Sequence, residues 1–387
     1  MKASIITYRF FDFNTNSVKI GGAETYINDL AELLVKSNFD TSVIVFEKKP
    51  VIECKQELFH GFKVREFPKI KKNQDSFDSV YAERNGEGLF IILSDDMGID
   101  VKGRHNIITI QHGICWDYPQ SYALRKAIRK YSLMFSLYKL RQNLKRIRQN
   151  RKSGNMVCVD YNYYNWLTAS YEISTDGVNL MKVIPNHVQK MIPFVQIEEK
   201  LQQMNDLSKA KLIFARRMTD YRGTLLFAHV AKRLLKVFPN INITMAGEGP
   251  LLDDAKSILK GEKNVHFTKY NSENSTQFHQ QFDIAVVPTI YSEGTSLSLL
   301  EAMAAGCFPV ATHVGGLTNI LIDNFNGKLC YPDEDSIFDA IKSVIQMDVK
   351  DFRRIVQLSY ETVQRSFSQD KWETEWLNFI HDVMGQF

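Results

Sequence analysis

Residues 293–306 read EGTSLSLLEAMAAG and hold two carboxylates eight positions apart, Glu293 in a Gly-Thr-Ser turn and Glu301 among Leu, Ala and Met. A carboxylate on an apolar helix face is costly unless something hydrogen-bonds it. The wider stretch VVPTIYSEGTSLSLLEAMAAGCFPVAT reads as strand, turn, helix and strand. Pro288 and Gly294 bracket the turn, Thr295 and Ser296 bring N-cap chemistry, Gly306 suits a C-cap and Pro309 follows the stop. Such a turn lies beyond the carboxyl end of a parallel strand, where ligands of open α/β sheets bind. Free backbone N–H groups at a helix N-terminus suit an anion such as a phosphate. Glu301 falls on the second helical turn, where its carboxylate could accept from the two vicinal hydroxyls of a ribose. The plain alternative is a solvated glutamate on an amphipathic helix.

The elements that must position this pair alternate between strand and helix. ASIITY leads to GGAETY at 21–26, and Tyr26, Ile27, Leu30, Leu33 and Leu34 follow at helical spacing. TSVIVF, GLFIIL, NIITIQ and MVCV recur as strand candidates, interrupted by a basic segment over 120–152. A second alternation starts at KLIFA and runs through INITMAG, NVHF, FDIAVVP and CFPVAT. Residues 191–209 between the two runs read as a connector. Strand–helix alternation implies parallel sheets covered on both faces. The expected fold is therefore α/β, with two doubly wound Rossmann-like domains, 1–190 and 210–368, facing across a cleft.

The totals agree with a globular chain. It has 387 residues, 44% of them hydrophobic and 24% charged, which excludes a mainly disordered chain and leaves room for two or three domains. Five cysteines include no C-x-x-C pair and are odd in number, which argues for buried thiols in a reducing compartment and against a disulfide framework or a zinc site. No apolar window is long enough for a membrane span, and the N-terminal apolar run is too short for a signal peptide, so a cytoplasmic protein is expected.

The net charge of +4 hides an asymmetry. Residues 118–159 carry 11 Lys or Arg and no acidic residue; the rest holds 37 basic against 44 acidic residues. Within that segment Leu124, Ile128, Tyr131, Phe135 and Tyr138, then Leu137, Leu140, Leu144 and Ile147, fall at helical spacings. Arg125, Lys126, Arg129, Lys130, Lys139, Arg141, Lys145 and Arg146 lie between them. A basic amphipathic helix of this kind can rest on an anionic membrane surface. The alternative is a helix packed on the N-terminal sheet with a solvated basic face. Nucleic acid is not an expected partner, because the remainder of the chain is acidic and no nucleic-acid motif occurs.

EGTSLSLLEAMAAGCFPVAT resembles the E-x(7)-E signature of the retaining glycosyltransferases of family 4, which have the GT-B fold. Six further segments resemble that family's motifs in order. GGAETY is similar to its N-terminal glycine loop, TIQHG to its strand-end histidine and VIPNHV to its I-P-N-G-V. FARRMTDYRG is similar to its G-R-L-x-x-x-K-G, MAGEGP to its G-x-G-P, and GGLTNILIDNFNGKL to its G-G-x-x-E-I-x-x-x-x-x-G. Together the matches span nearly the whole chain.

The resemblance implies a role for each matching residue. Glu293 would contact the donor sugar's hydroxyls and Glu301 the ribose. Backbone N–H groups of Gly294, Thr295, Ser296 and Leu297 would hold the distal phosphate. Arg217 and Arg222 would neutralise the departing diphosphate, a task suited to bidentate cations, with no metal or other cofactor required. Gly22 would let the N-terminal loop approach donor and acceptor, His112 would sit beside the donor sugar, and Gly247 and Tyr270 would line the nucleotide. The resemblance further implies an acceptor-binding first domain, a nucleotide-sugar-binding second domain, and a terminal helix, 369–387, returning to the first. Asp95–Asp96 is a bare pair rather than a D-x-D and reads as a polar loop.

Several positions depart from the pattern. Arg222 replaces the usual Lys, and Arg216 stands where Gly precedes Arg217. His187 replaces the Gly of I-P-N-G, Lys269 a Gly in the loop facing the nucleobase, and Asn319 the Glu of G-G-x-x-E. The implied reaction transfers a sugar with retention from a nucleoside-diphosphate donor, with UDP the expected carrier, to a saccharide acceptor, free or lipid-linked, in cell-surface polysaccharide or lipopolysaccharide synthesis. A nucleotide-sugar 2-epimerase of the same fold and a non-catalytic nucleotide- or membrane-binding module are the competing expectations.

Overall fold

A computed structural model describes residues 1–385 apart from 13–16, 19–20, 48–55, 69, 71, 115, 117–131, 171–179, 271–273 and 292. Arg125, Lys126, Arg129 and Lys130 therefore lie outside the described residues. The chain divides into two compact units, one formed by residues up to His112, the segment up to Ile184 and the residues from Glu373, the other mainly by Pro185–Trp372.

The first unit is built on strands β1 (Lys2–Thr7), β4 (Asp40–Glu47), β5 (Gln56–Phe59), β6 (Phe62–Pro68), β7 (Leu89–Ile92), β8 (Ile107–Gln111), β9 (Asn155–Cys158) and β10 (Met181–Val183). The short strands β2 (Phe11–Asp12) and β3 (Ser17–Val18) pair separately. The large sheet has the order β10-β9-β8-β7-β1-β4-β6-β5 and is parallel except for the edge strand β5. The central strands β7 and β8 are buried along their whole length because both faces are covered, as in parallel sheets generally. Helix α1 (Gly22–Lys36) buries Tyr26, Ile27, Leu30, Leu33 and Leu34, the spacing read from sequence. Helices α2 (Asn73–Glu83), α3 (Ser132–Asn150) and α4 (Tyr161–Ser170) complete this part.

The second unit has strands β11 (Lys211–Ala215), β12 (Asn242–Ala246), β13 (Val265–Thr268), β14 (Ile284–Val287), β15 (Phe308–Thr312) and β16 (Lys328–Cys330), in the order β13-β12-β11-β14-β15-β16. All pairs are parallel, so the order reverses between β11 and β14, where the crossover direction changes. That reversal opens a crevice at the carboxyl ends of the two strands. Helices α5 (Phe194–Gln203), α6 (Thr224–Val237), α7 (Leu252–Ile258), α8 (Ser275–His279), α9 (Leu297–Ala304), α10 (Glu334–Ile345), α11 (Val349–Ser366) and α12 (Gln369–Met384) follow.

The stretch read as a connector is folded instead. Ile197 and Leu201 of α5, with Ile192 and Leu207, are buried in the second unit's core. Their one-turn spacing makes α5 amphipathic, and an apolar stripe of that kind packs rather than spans solvent. Helix α12 ends in the first unit, where fully buried Trp376 donates through Nε1 to the Tyr26 hydroxyl at 3.0 Å. Cys158, Cys307 and Cys330 are buried free thiols; Cys54 and Cys115 lie outside the described residues. No described helix is long and apolar enough to cross a membrane.

Candidate active site

Three strand ends of the second unit lie level: Ala215 of β11 pairs with Ala246 of β12, and Ile213 of β11 with Ala285 of β14. The segments leaving these ends carry the candidate residues. After β14 the chain runs Pro288, Thr289 and Glu293 into α9; after β11 it runs Arg216 and Arg217 into a short 3-10 turn at Asp220–Arg222.

Glu293 is buried, and its partners come from both segments. Arg216 donates through Nη2 to Oε2 at 2.6 Å, the Thr289 hydroxyl donates to the same oxygen at 2.9 Å, and Arg222 Nη1 bonds both carboxylate oxygens. Arg216 Nη1 also bonds the Thr289 hydroxyl, and the Thr312 hydroxyl donates to the Thr289 carbonyl at 2.6 Å. Burial alone would push the Glu293 carboxyl up; the guanidinium groups of Arg216 and Arg222 outweigh it and hold it at about 2. Burial pulls the Arg216 guanidinium below its ordinary value despite Glu293, whereas Glu293 outweighs burial at Arg222 and raises it.

The local backbone makes this contact possible. Gly223 has φ 77° at the end of the 3-10 turn, and a Cβ there would lie 1.9 Å from the Pro288 carbonyl oxygen. Only glycine lets the Arg222 turn approach the strand end so closely. The G-G pair of GGLTN does the same on the other side, where Gly316 donates its N–H to the Glu293 carbonyl at 2.7 Å. A Cβ on Gly316 would meet the Gly294 carbonyl at 2.4 Å.

Helix α9 begins after Ser296, so the first-turn N–H groups from Leu297 onward have no partner within the helix. Ser296 occupies the N-cap without a side-chain capping bond, and Thr295 accepts from Asn186 Nδ2 through its carbonyl at 2.7 Å. Glu301 lies on the second turn of α9 as expected from sequence. Burial pushes its carboxyl up to about 7, opposed by a hydrogen bond from the Ser275 hydroxyl. Tyr270 stacks on Phe278 at 4.9 Å, and its hydroxyl reaches the Ala215 carbonyl at 3.4 Å. Burial and the nearby Glu301 carboxyl raise the Tyr270 phenol, so it stays neutral. Gly247 lies at the end of β12 against the Arg216 carbonyl.

The two arginines of the R-x(4)-R pair behave differently. Arg222 sits on Glu293, while Arg217 is exposed and its side chain has no hydrogen bond or ion pair among the described residues. Arg216, noted in sequence only as a departure from the Gly that precedes Arg217, is the side chain that turns inward. Its signal was the replacement of a small residue at a strand end, with no spacing rule to say where the new charge would point. Thr289, Thr312 and Ser275 had no motif at all. Lys269 pairs with Glu248, and the His187 ring lies 4.4 Å from that of Trp372 at a tilt of 30°.

Gly22 and His112 belong to the first unit. Gly22 opens α1 after the N-cap Gly21. His112 follows β8, and its Nε2 contacts the Leu93 carbonyl at 2.9 Å while its ring meets Tyr26 edge-on at 5.4 Å. Burial pushes the imidazole down to about 4, so it is neutral at pH 7, with Nε2–H the donor to Leu93.

The Asp95–Asp96 pair is not a free loop, because Arg146 of α3 reaches both carboxylates, Asp95 at 3.3 Å. Arg146 accordingly leaves the set of outward-facing cations, with 11% of its side chain exposed. Burial, only partly offset by Arg146, pushes the Asp95 carboxyl up to about 7. Leu137, Leu140 and Leu144 face solvent beside Arg141, Lys145 and Arg148. Lys139 lies over the Phe135 ring at 4.9 Å. Among the described residues, no cluster of three or more His, Cys, Asp or Glu side chains is arranged to hold a metal ion.

Residues 196–361 match the family described as glycosyl transferases group 1. The lipopolysaccharide 1,2-N-acetylglucosaminetransferase of Salmonella typhimurium is 26% identical over 200 residues, 48% of this chain and 51% of that protein. The UDP-Gal:alpha-D-GlcNAc-diphosphoundecaprenol alpha-1,3-galactosyltransferase of Escherichia coli is 20% identical over 334 residues, 81% of this chain and 82% of that one. The chain spans about half the length of curated relatives it matches, from 40% to 51% in three of them. The structure of Anabaena HepE in complex with UDP-glucose superposes with a TM-score of 0.70 at 15% identity, covering 100% of both chains. Two Rossmann-like units with this strand order have the GT-B fold, and the segment holding Arg216, Arg222, Glu293 and Glu301 is the part that matches the group 1 glycosyl transferases.

Proposed function

We propose that this chain is a retaining glycosyltransferase of family 4 that moves a sugar from a UDP-linked donor to a saccharide acceptor carried on lipid, in cell-surface polysaccharide or lipopolysaccharide synthesis. The observation that carries the reading is Glu293, held ionised by two guanidinium groups at the β11/β14 switch point, with Glu301 eight residues further along α9. The Salmonella and Escherichia coli relatives, whose names specify lipopolysaccharide and a diphosphoundecaprenol-linked saccharide, support the acceptor class. The HepE complex supports the UDP carrier.

In this reading the bond from the anomeric carbon to the phosphate oxygen breaks, and a bond to the acceptor oxygen forms on the same face. The departing phosphate oxygen takes the acceptor's proton. Arg222 and Arg217 neutralise the diphosphate, the first-turn N–H groups of α9 hold its distal phosphate, and Glu301 accepts from the ribose hydroxyls. Glu293 orients the sugar through its hydroxyls and is not a nucleophile. Neutralisation by side chains and backbone makes the reaction metal-independent. Gly22 and neutral His112 are assigned to the first unit's share of substrate binding. The exposed Leu and Arg/Lys face of α3 is assigned to a peripheral contact with anionic lipid on the cytoplasmic side.

Thermal denaturation in EDTA with UDP, GDP, ADP, CMP and NAD tests the reading. A ligand at about a hundred times its dissociation constant adds roughly 2.7 kcal/mol, enough to raise Tm by several degrees. UDP is expected to give that shift, and Arg217→Ala and Glu301→Ala to remove it. If none of the five nucleotides moves Tm, the donor-site reading fails.

A further inference from the structure

Arg216 is a buried cation at this site that the proposed donor contacts do not use. Its side chain is 4% exposed, against 27% for Arg222, although both bind the same carboxylate. Arg216 is also fixed from several directions. Its backbone N–H donates to the Ala246 carbonyl at 3.0 Å, its Nη1 bonds the Thr289 hydroxyl, and Thr289 is itself held by Thr312. Arg222 instead sits on a one-turn 3-10 segment beside the Tyr221 ring, 5.0 Å from its centroid.

An anionic diphosphate arriving at the helix N-terminus competes with Glu293 for Arg222. Were Arg222 the only cation, that exchange would strand a buried carboxylate, and such a group takes up a proton. We propose that Arg216 is a positioning residue, the fixed counter-ion that keeps Glu293 ionised and oriented while Arg222 moves to the diphosphate. The inference rests on the donor-site reading above. It gives the two guanidinium groups different jobs, one permanent and one exchangeable. Among the described residues, Tyr221 beside Arg222 and Tyr270 beside Arg216, with Glu301 behind it, are further ionisable groups near this carboxylate. Thr289, Thr312 and the Gly315–Gly316 backbone bring no charge.

Two measurements on the full chain test this. In ligand-free protein carrying Arg222→Ala, the Glu293 carboxyl, followed by carbon-13 NMR, is expected to stay ionised at about pH 3, below the ordinary glutamate range. Adding Arg216→Met is expected to move its titration above that range, and Arg216→Lys to restore it in part. An unchanged titration after removal of Arg216 overturns the proposal. In the otherwise wild-type chain, Arg216→Met is expected to lower kcat for UDP-sugar hydrolysis about tenfold at pH 6, with recovery toward pH 8. KM is expected to move less, and Arg216→Lys to rescue most of the loss. A loss equal at all pH values, or a profile matching the wild type, also overturns it. A wild-type chain that neither binds UDP nor hydrolyses UDP-sugar would instead count against the donor reading, with the carboxyl titration still deciding the role of Arg216.

Discussion

Two glutamates eight residues apart end in opposite protonation regimes because their neighbours differ. Glu293 has two guanidinium partners and lies at about 2, whereas Glu301 has the Ser275 hydroxyl against its burial and lies at about 7. At neutral pH the free protein therefore holds Glu301 partly protonated. Ribose hydroxyls donating to it favour the ionised form, so binding releases a proton and tightens as pH rises through about 7. Affinity for a UDP-sugar, measured by calorimetry, is expected to increase about tenfold from pH 6 to 8. The sugar ester is the right probe, since a free terminal phosphate titrates near pH 6 itself. Glu301→Gln is expected to bind more weakly with a flat profile; a wild-type affinity independent of pH would remove the ribose assignment. The E-x(7)-E spacing was legible in sequence, but the pairing partners were not, because a linear pattern carries no information about which distant strand end supplies a cation.

At the scale of elements, α3 is anchored by its polar side and shows its leucines outward. Arg146 binds Asp95 and Asp96, and Asn150 Nδ2 donates to the Tyr163 hydroxyl at 2.8 Å. This reverses the usual arrangement, and Leu137, Leu140 and Leu144 remain 57%, 55% and 47% exposed. Helical periodicity in the sequence located the helix and its two faces, but the buried Arg146–Asp95 ion pair lies on the face that turned in, while the leucines point outward. The lipid assignment predicts that reversing Arg141, Lys145 and Arg148 to Glu abolishes sedimentation with anionic vesicles, since each basic residue contributes about 1 kcal/mol near such a surface. Arg146→Ala should lower Tm instead, because it leaves Asp95 buried without its cation. Undiminished vesicle binding by the triple reversal would leave α3 as a solvated helix.

At the scale of the whole molecule, the chain's last residues complete a unit that its first residues begin. Trp376 is fully buried beside Tyr26, with ring centroids 6.3 Å apart, and Tyr26 in turn packs against His112. Trp376→Ala removes a large core side chain and is expected to cost about 3–5 kcal/mol. Hydrogen exchange should show the loss in β1 and α1, with β11 and β14 retaining their protection. Equal loss in both sheets would mean that the two units unfold as one.

The amino-acid sequence alone determined the parallel α/β class, the two strand–helix alternations and the strand–turn–helix around Glu293. Each follows from local rules: continuous apolar strands, helical periodicity, and turn and cap residues at short range. It also marked Arg222, Glu293, Glu301 and His112 by type and position. Tertiary structure decided what short-range rules do not encode. It folded residues 191–209 into a core, turned Arg216 rather than Arg217 onto Glu293, and tied Asp95–Asp96 to Arg146. In each case groups far apart in the chain meet: apolar side chains for residues 191–209, and for Arg216 and Asp95 a buried charge that must find a partner or lose its ionisation.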